Sequence, residues 1–266
     1  MCICGPSLRG RAHAGELRSY LLADLIRRAA ELGRLHVTVY QDSPAAPIGH
    51  EDGFAADLAA LNIWPAERPP GASESATPMV MDIHVSPAGH SCGHQDVDAV
   101  AEPEPTQCFV QSVDVGFAGH VTGVAGHVAT LADLADRGLD PLALRLALVE
   151  HHYREQVNLS WDTIESAGKT LRRWREQVAA WACEPSAAMS RPHLMAALTA
   201  FAEDLDAPSA LRELRDLEND GAVAVGAKFE TFVHLDRLLG LDIAREVGKP
   251  GIASQAAGGD TPPSRP

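Results

Sequence analysis

The strongest constraint on the fold is a strand–helix–strand pattern within the first 42 residues. The segment MCIC predicts a short buried strand, ELRSYLLADLIRRAAEL predicts an amphipathic helix ended by Gly33, and LHVTVYQD predicts a β-branched second strand. At this spacing the three elements form a βαβ unit, with parallel strands and a right-handed crossover. In such sheets ligands bind beyond the carboxyl ends of the strands, where the first loop meets its helix. We therefore expect a binding site where the chain leaves its first strand.

Beyond this unit, the sequence predicts further strands and then a long helical region. MVMDIHV and CFVQSVDV indicate strands, FAADLAALNI indicates a helix, and residues 64–78, rich in Pro, Ser, Ala and Gly, indicate a linker. From Asp140 onward the pattern is helical, because residues that cap helices recur, most with a proline close behind them. The predicted helix starts are Asp140, Ser160, Ser190 and Asp206, and the last helix ends at Gly240.

Charge and cysteine content restrict the class of function. The net charge of −14 argues against broad binding to nucleic acid, which requires clustered Lys and Arg. The clearest basic cluster lies on one predicted helix and is typical of a solvated face: Lys169, Arg172, Arg173 and Arg175. The five cysteines are irregularly spaced, the start lacks a signal-peptide pattern, and no apolar run approaches the ~18 residues that span a bilayer. These features predict a cytoplasmic protein with free or metal-bound thiols and no membrane partner.

Two segments of the chain resemble one known family. MCICGPSLRGRAHAGELRSYLLADLIRR is similar to the opening strand, nucleotide loop and helix of cysteinyl-tRNA synthetases. LDPLALRLALVEHHYREQVNLSWDTIESAGKTLRRWR, with FAEDLDAPSALRELRDLE and LDRLLGLDI after it, is similar to the helical stem and bundle of that family. The chain thus resembles the family of cysteinyl-tRNA synthetase and mycothiol cysteine ligase. The family's central insertion is largely absent, and we expect no anticodon-reading extension after the bundle, so the chain looks more like the mycothiol ligase.

The resemblance implies the fold class and its division along the chain. We expect an α/β fold, in which a reduced Rossmann-like parallel-sheet nucleotide-binding domain over residues 1–135 is followed by an all-α helical stem and bundle over residues 136–245. Residues 246–266 are rich in Gly, Pro, Ser and Ala and predict a disordered tail.

The resemblance also implies a metal site. In this family a zinc ion holds the thiol of the substrate cysteine through two Cys, one His and one Glu. Cys4 corresponds to the first Cys, and HQDVD supplies His94 and Asp98, which are four residues apart and so share one face of a helix. The second Cys corresponds to Ser75, which leaves Ser75, Cys92 or water as the fourth ligand. The alternative is that Cys4 is a buried strand cysteine and the other two are surface residues.

The family's HIGH motif, which binds ATP at a helix N-terminus, corresponds to His13-Ala14-Gly15-Glu16. The first His and the Gly are kept, and Gly15 permits close approach of the backbone to a ligand. Glu16 replaces the second His. A carboxylate there suits the helix dipole but repels phosphate.

The family's KMSKS loop corresponds to residues 120–124, which contain His120 and Thr122 but no lysine. Only His120 can carry positive charge there, and only when it is protonated. The resemblance implies His13 and His120 as catalytic residues. The nucleotide contacts that it implies are Gly5, His13, Gly15, His84 and Thr122.

Two functional hypotheses follow. The first is an ATP-dependent ligase that activates cysteine, or a related amino acid, as an adenylate and transfers it to an amine acceptor or to tRNA. The acidic charge and the lack of an anticodon domain argue against tRNA as the acceptor. The second is a catalytically inactive pseudo-synthetase that serves as a binding or regulatory module, because the altered HIGH and KMSKS motifs remove groups that stabilise developing charge.

Overall fold

The computed structural model describes residues 1–5, 14–41, 51–64, 66–67, 82–87, 108–113, 115–117 and 130–249. Most of the predicted linker and the predicted tail from residue 250 onward lie outside these ranges. The chain divides into two compact units, Met1–Gly168 and Lys169–Pro266.

The first unit contains a four-stranded parallel sheet. Its strands are β1 (Cys2–Gly5), β2 (Thr38–Gln41), β3 (Ile83–Pro87) and β4 (Cys108–Ser112), in the spatial order β2-β1-β3-β4. All neighbouring pairs in this sheet are parallel. Helix α1 (Ala14–Leu32) connects β1 to β2, which confirms the predicted βαβ unit. Because β3 lies on the other side of β1 from β2, the connections change direction between β1 and β3.

Helix α1 packs on the sheet with an apolar face and ends where the sequence predicted. Leu17 and Leu21 are buried together with Ile3 of β1. Burying a leucine side chain stabilises a fold by about 1.5–3 kcal/mol, so this face holds the helix in place. After the helix, Gly33 is followed by Arg34 in the left-handed conformation, with φ 65°, and helical hydrogen bonding stops.

Three shorter helices and a two-stranded parallel sheet complete the described part of the first unit. They are α2 (Glu51–Ala60), α3 (Leu131–Asp136), α4 (Pro141–Val149), β5 (Val115–Phe117) and β6 (Val157–Leu159). Asp140 caps α4 as predicted, because its carboxylate accepts a hydrogen bond from the next turn. The helical pattern of LALRLALVEHHYREQ, which follows Pro141, predicts a helix through residue 156, but α4 ends at Val149. In the turn that follows, the carbonyl groups of His152 and Glu155 accept hydrogen bonds from Arg18, and the carbonyl of His152 also accepts one from the backbone N–H of Glu155.

The second unit is helical in the part that is described. Helix α5 (Trp161–Trp181) contains the boundary between the units, and it is followed by α6 (Arg191–Ala202), α7 (Ala207–Asn219), α8 (Val225–Leu239) and a 3-10 turn (Ile243–Glu246). The side chains of Ser160 and Asp206 accept hydrogen bonds from backbone N–H groups three residues later, which confirms two predicted caps. Ser190 makes no such bond, and Gly240 ends α8 with φ 65°.

An aromatic cluster forms part of the core of the second unit. The ring of Trp174 meets Phe232 edge to face, with ring centres 5.9 Å apart, and its Nε1 donates to the buried carboxylate of Glu218 at 2.9 Å. Arg175 departs from the predicted solvated face. It is buried, and its guanidinium donates to the carbonyl groups of Leu241 and Asp242.

These two units confirm the predicted fold class, a Rossmann-like parallel sheet followed by a largely helical region. Within the described residues, no helix combines the length and the apolar character needed to cross a bilayer.

Candidate functional site

The candidate site lies at the carboxyl edge of the parallel sheet, between β1 and β3. The connection from β1 leads to β2 on one side, and β3 lies on the other side. In open parallel sheets this switch point leaves a crevice beyond the strand ends, where ligands bind. Gly5 ends β1 and Pro87 ends β3 at this edge. The predicted location of the site therefore coincides with the switch point of the sheet.

Two predicted site residues, Cys4 and His84, are direct neighbours in the sheet: Cys4 is one residue before the end of β1, and His84 is three residues before the end of β3. They are register partners in the β1–β3 pair. Adjacent strands lie about 4.8 Å apart, and partners in register project to the same face of a sheet, so the thiol and the imidazole share one face. Cys4 is fully buried, and its Sγ contacts the carbonyl oxygen of Gly5 at 3.9 Å. His84 is 5% exposed. The pair therefore occupies an enclosed position next to the switch point.

Gly5 is required where β1 ends because the strands approach closely. A Cβ atom added at Gly5 would lie 3.2 Å from Cγ1 of Val39 and 3.4 Å from the carbonyl oxygen of Tyr40. The first distance is tighter than an ordinary carbon–carbon contact, so a larger residue would require the side chain of Val39 to shift by a few tenths of an ångström. Gly5 thus keeps the backbone of this edge compact beside Cys4.

Helix α1 begins at Ala14, so Gly15 lies in its first turn. The first backbone N–H groups of a helix have no partners within the helix and carry a partial positive charge. Gly15 therefore lies among these N–H groups, in a helix that begins two residues before the predicted start at Glu16. The chain reaches this turn from the carboxyl end of β1, which is the edge that carries Cys4 and Gly5.

The other predicted site residues lie outside the described residues. They are His13, His94, Asp98, His120 and Thr122, together with the alternative ligands Ser75 and Cys92. Within the described ranges, no group of three or more His, Cys, Asp or Glu side chains is arranged to hold a metal ion. Of the predicted metal ligands, the structure describes Cys4.

Sequence reasoning missed a buried arginine on α1. The side chain of Arg18 is 2% exposed, and its guanidinium donates to the carbonyl groups of Val113, His152 and Glu155. Burial lowers the pKa of Arg18, and the charge of Glu155 partly offsets this effect. The only signal in the sequence was a charged residue next to the apolar positions Leu17 and Leu21, which does not reveal the carbonyl partners.

A second buried charge cluster is centred on Asp24 of α1. Its carboxylate accepts hydrogen bonds from Arg27, Arg28 and Arg145 of α4 at 2.6–2.7 Å. Burial by itself raises the pKa of Asp24, but the charges of Arg145 and Arg28 and the hydrogen bonds from Arg27 and Arg28 outweigh burial. The pKa therefore lies below its usual value. Arg145 also donates to the carbonyl of Leu61, so the cluster joins α1, α4 and the end of α2.

The chain is similar to two kinds of cysteine ligase. One relative is the L-cysteine:1D-myo-inositol 2-amino-2-deoxy-alpha-D-glucopyranoside ligase of Salinispora arenicola. The two sequences are 33% identical over 124 residues, and this matched segment covers 46% of this chain and 29% of that protein. The ligase of the same name from Parafrankia sp. is 33% identical over 141 residues, or 52% of this chain and 30% of the relative. A cysteine–tRNA ligase of Treponema pallidum is 28% identical over 163 residues, or 53% of this chain and 31% of the relative.

The matched region thus spans about 30% of the length of these curated relatives. No protein-family profile matches the chain. Over about half of its length, the chain is related to the cysteine ligases of these two kinds, and this is the family that its motifs predicted.

Proposed function

We propose that the chain is an ATP-dependent ligase that activates cysteine, or a related amino acid, as its adenylate and transfers the acyl group to a small amine acceptor. The observation that supports this most is the buried pair of Cys4 and His84 at the switch point of a parallel sheet. The relatives are named as cysteine ligases, and the family resemblance assigns a thiol at this position to the centre that selects the substrate cysteine. The net charge of −14 favours a small amine over tRNA as the acceptor.

In the proposed reaction, a carboxylate oxygen of the amino acid attacks the α-phosphorus of ATP. The bond from that phosphorus to the bridging oxygen breaks, and pyrophosphate leaves. The nitrogen of the amine acceptor then attacks the acyl carbon of the adenylate, AMP leaves with the bonding electrons, and the nitrogen loses a proton. No covalent bond to the protein forms, so the protein contributes by positioning the reactants and stabilising charge.

The backbone at the start of α1 is assigned to phosphate binding, because its first N–H groups have no partners within the helix. Gly5 and Gly15 permit close approach of the backbone to the nucleotide. His13 and His120 are assigned to stabilising the charge that develops on the phosphates, and Thr122 to a hydrogen bond with them. These last three residues are assigned by their correspondence with the family motifs.

The donor set at the candidate site fits zinc. A cysteine thiolate and a histidine nitrogen are ligands that zinc prefers, and Cys4 and His84 provide both types on one face of the sheet. Cys4, His94 and Asp98 would hold the ion, with His84 beside Cys4. Bound zinc would supply selection for a substrate thiol over a hydroxyl. His84 would contact the nucleotide next to this centre.

Amino-acid-dependent exchange of pyrophosphate into ATP tests the proposal on the full-length protein supplied with zinc. We expect exchange with cysteine and none with serine. His84→Gln should lower the exchange rate by about 10²-fold, the usual cost of removing a positioned polar group from such a site. The matched control is His36→Gln, because His36 is exposed just before β2, and this change should leave the rate within about twofold of the wild type. Absence of exchange with any amino acid would exclude the ligase.

A second candidate function, a binding module without catalysis, is favoured by two observations. Glu16 lies in the first turn of α1, where a carboxylate opposes phosphate, and residues 120–124 contain no lysine. A non-hydrolysable cysteinyl-adenylate analogue separates the two functions. Tight binding of the analogue without pyrophosphate exchange would identify the binding module, whereas binding together with exchange would identify the ligase.

A further inference from the structure

Arg18 joins three parts of the first unit through backbone carbonyl groups. It lies in the second turn of α1, and its side chain is buried. Nη1 donates to the carbonyl oxygen of Val113 at 3.2 Å and to that of Glu155, and Nη2 donates to that of His152. Val113 follows β4, and the other two residues lie in the turn between α4 and β6. One side chain thus holds two segments that are distant in sequence against the start of α1.

These two segments continue directly as the strands of the small parallel sheet. Val115 of β5 is in register with Val157 of β6, and Phe117 is in register with Leu159. Arg18 therefore sits at the amino ends of both strands and fixes how they start relative to α1. In the sequence, β5 leads into residues 118–129, which include the proposed phosphate contacts His120 and Thr122.

The bonding pattern of Arg18 differs from that of the other buried arginines on its helix. Within the described residues, Arg18 donates to carbonyl oxygens and to no carboxylate, whereas Arg27 bonds to Asp24 and Glu31. Burying a guanidinium without a carboxylate partner is costly and is offset here by hydrogen bonds to neutral groups. A stabilising role alone would be served better by an apolar side chain, which suggests that the residue serves to hold these carbonyl groups in place.

We propose that Arg18 is a positioning residue of the nucleotide site, which holds the segment before β5 and the 152–155 turn against the start of α1, the helix end that is proposed to bind the phosphates. The inference rests on the proposed function, because it requires ATP at this edge of the sheet. It assigns the effect of Arg18 to the phosphate end of the ligand and not to the adenosine.

Arg18→Met and Arg18→Lys in the full-length protein test this assignment. The readouts are calorimetric affinities for ATP and for adenosine, and hydrogen exchange of the amides at 113–117 and 152–159. In Arg18→Met we expect protection of both segments to fall and ATP affinity to drop by about tenfold or more, with adenosine affinity within about twofold. Arg18→Lys keeps the charge but not the planar fork and should fall in between.

Arg27→Met is the matched control, because it removes a buried arginine from the same helix that contacts neither segment. It should lower stability while leaving the ratio of ATP to adenosine affinity unchanged. If Arg18→Met gives the same ratio as this control, or leaves both segments protected, the assignment of Arg18 is wrong. If the wild-type protein binds no ATP, the proposed function fails first, and the assignment fails with it.

Discussion

Cys4 shows how one residue can belong both to the core and to the candidate site. Its thiol is fully buried, with Cys2 and Tyr40 packed against it, so it fills space as a small apolar side chain does. It is also one residue from the end of β1 and in register with His84. Serine has nearly the same shape as cysteine but is a poor zinc ligand at neutral pH. Replacement by serine therefore separates the two roles.

We expect purified protein to contain one zinc ion per chain and Cys4→Ser to contain almost none while remaining folded. Metal content by mass spectrometry checks this. In the cobalt-substituted protein, the absorption from the cobalt–thiolate bond should disappear in the same variant. Cys183→Ser is the control, because this exposed cysteine belongs to the second unit, and it should leave the metal content unchanged. Fully folded wild-type protein without metal would contradict the prediction.

At the scale of elements, the Asp24 cluster is what joins α1 to α4. Arg145 has no exposed side-chain surface, and its guanidinium reaches both Asp24 and the carbonyl of Leu61 at the end of α2. Removing one partner of such a buried pair leaves an uncompensated charge, which is more costly than never having had the pair. The connection between these helices therefore depends on all members of the cluster being present.

Arg145→Met should lower the free energy of unfolding by about 3–5 kcal/mol, because it leaves the carboxylate of Asp24 buried with weaker compensation. Chemical denaturation followed by circular dichroism measures the change. Arg137→Met is the control: Arg137 is exposed and lies over the Trp161 ring at 4.0 Å, so its loss should cost at most about 1 kcal/mol. Equal losses of unfolding free energy in the two variants would show that the buried pair contributes no more to stability than the exposed contact of Arg137.

The elements themselves were largely predictable from the sequence, because hydrophobic period and caps are local signals. The βαβ unit, the starts of α4, α5 and α7, and the end of α8 at Gly240 were predicted correctly. The end of α4 was not, and the turn that follows it bonds to Arg18, more than 130 positions earlier in the chain. For the same reason, the spacing of Asp24 and Arg28 indicated a pair on one helix, but nothing local indicated Arg145.

The site was predictable only in part. Cys4 and His84 were identified individually from motifs, whereas their pairing depends on the register between β1 and β3, which are about 80 positions apart. Register is set by tertiary packing on both faces of the sheet and leaves no signature within either strand.

At the scale of the whole molecule, protonation of carboxylates at low pH changes the stability of the fold in two opposing ways. The net charge of −14 implies self-repulsion, which weakens as carboxylates become protonated. Asp24 acts in the opposite direction, because its pKa in the folded state is below the usual aspartate value. Its contribution to stability is fully present above about pH 4 and is lost as the pH falls from there through the lowered pKa. Asp24 is buried, whereas repulsion between surface charges is screened by salt. In the first unit, the stability lost when Asp24 is protonated should therefore exceed the stability gained from weaker repulsion.

We therefore expect the stability of the first unit to fall as the pH drops below about 4, and to fall less in Asp24→Asn, which is less stable at neutral pH. Hydrogen exchange of α1 amides at a series of pH values reports on this unit specifically. The second unit provides the internal comparison within the same sample. An identical acid dependence in the wild type and in Asp24→Asn would show that other carboxylates are responsible.

The carbonyl partners of Arg18 have a consequence for how the protein forms during synthesis. They lie 95, 134 and 137 positions after it. A nascent chain that has emerged from the ribosome only as far as β4 can build most of its parallel sheet, but Arg18 then has no acceptors to bury against. Folding of this part is therefore completed only after residue 155 has been translated, and any product released earlier exposes a cation on the surface where the next segment should dock.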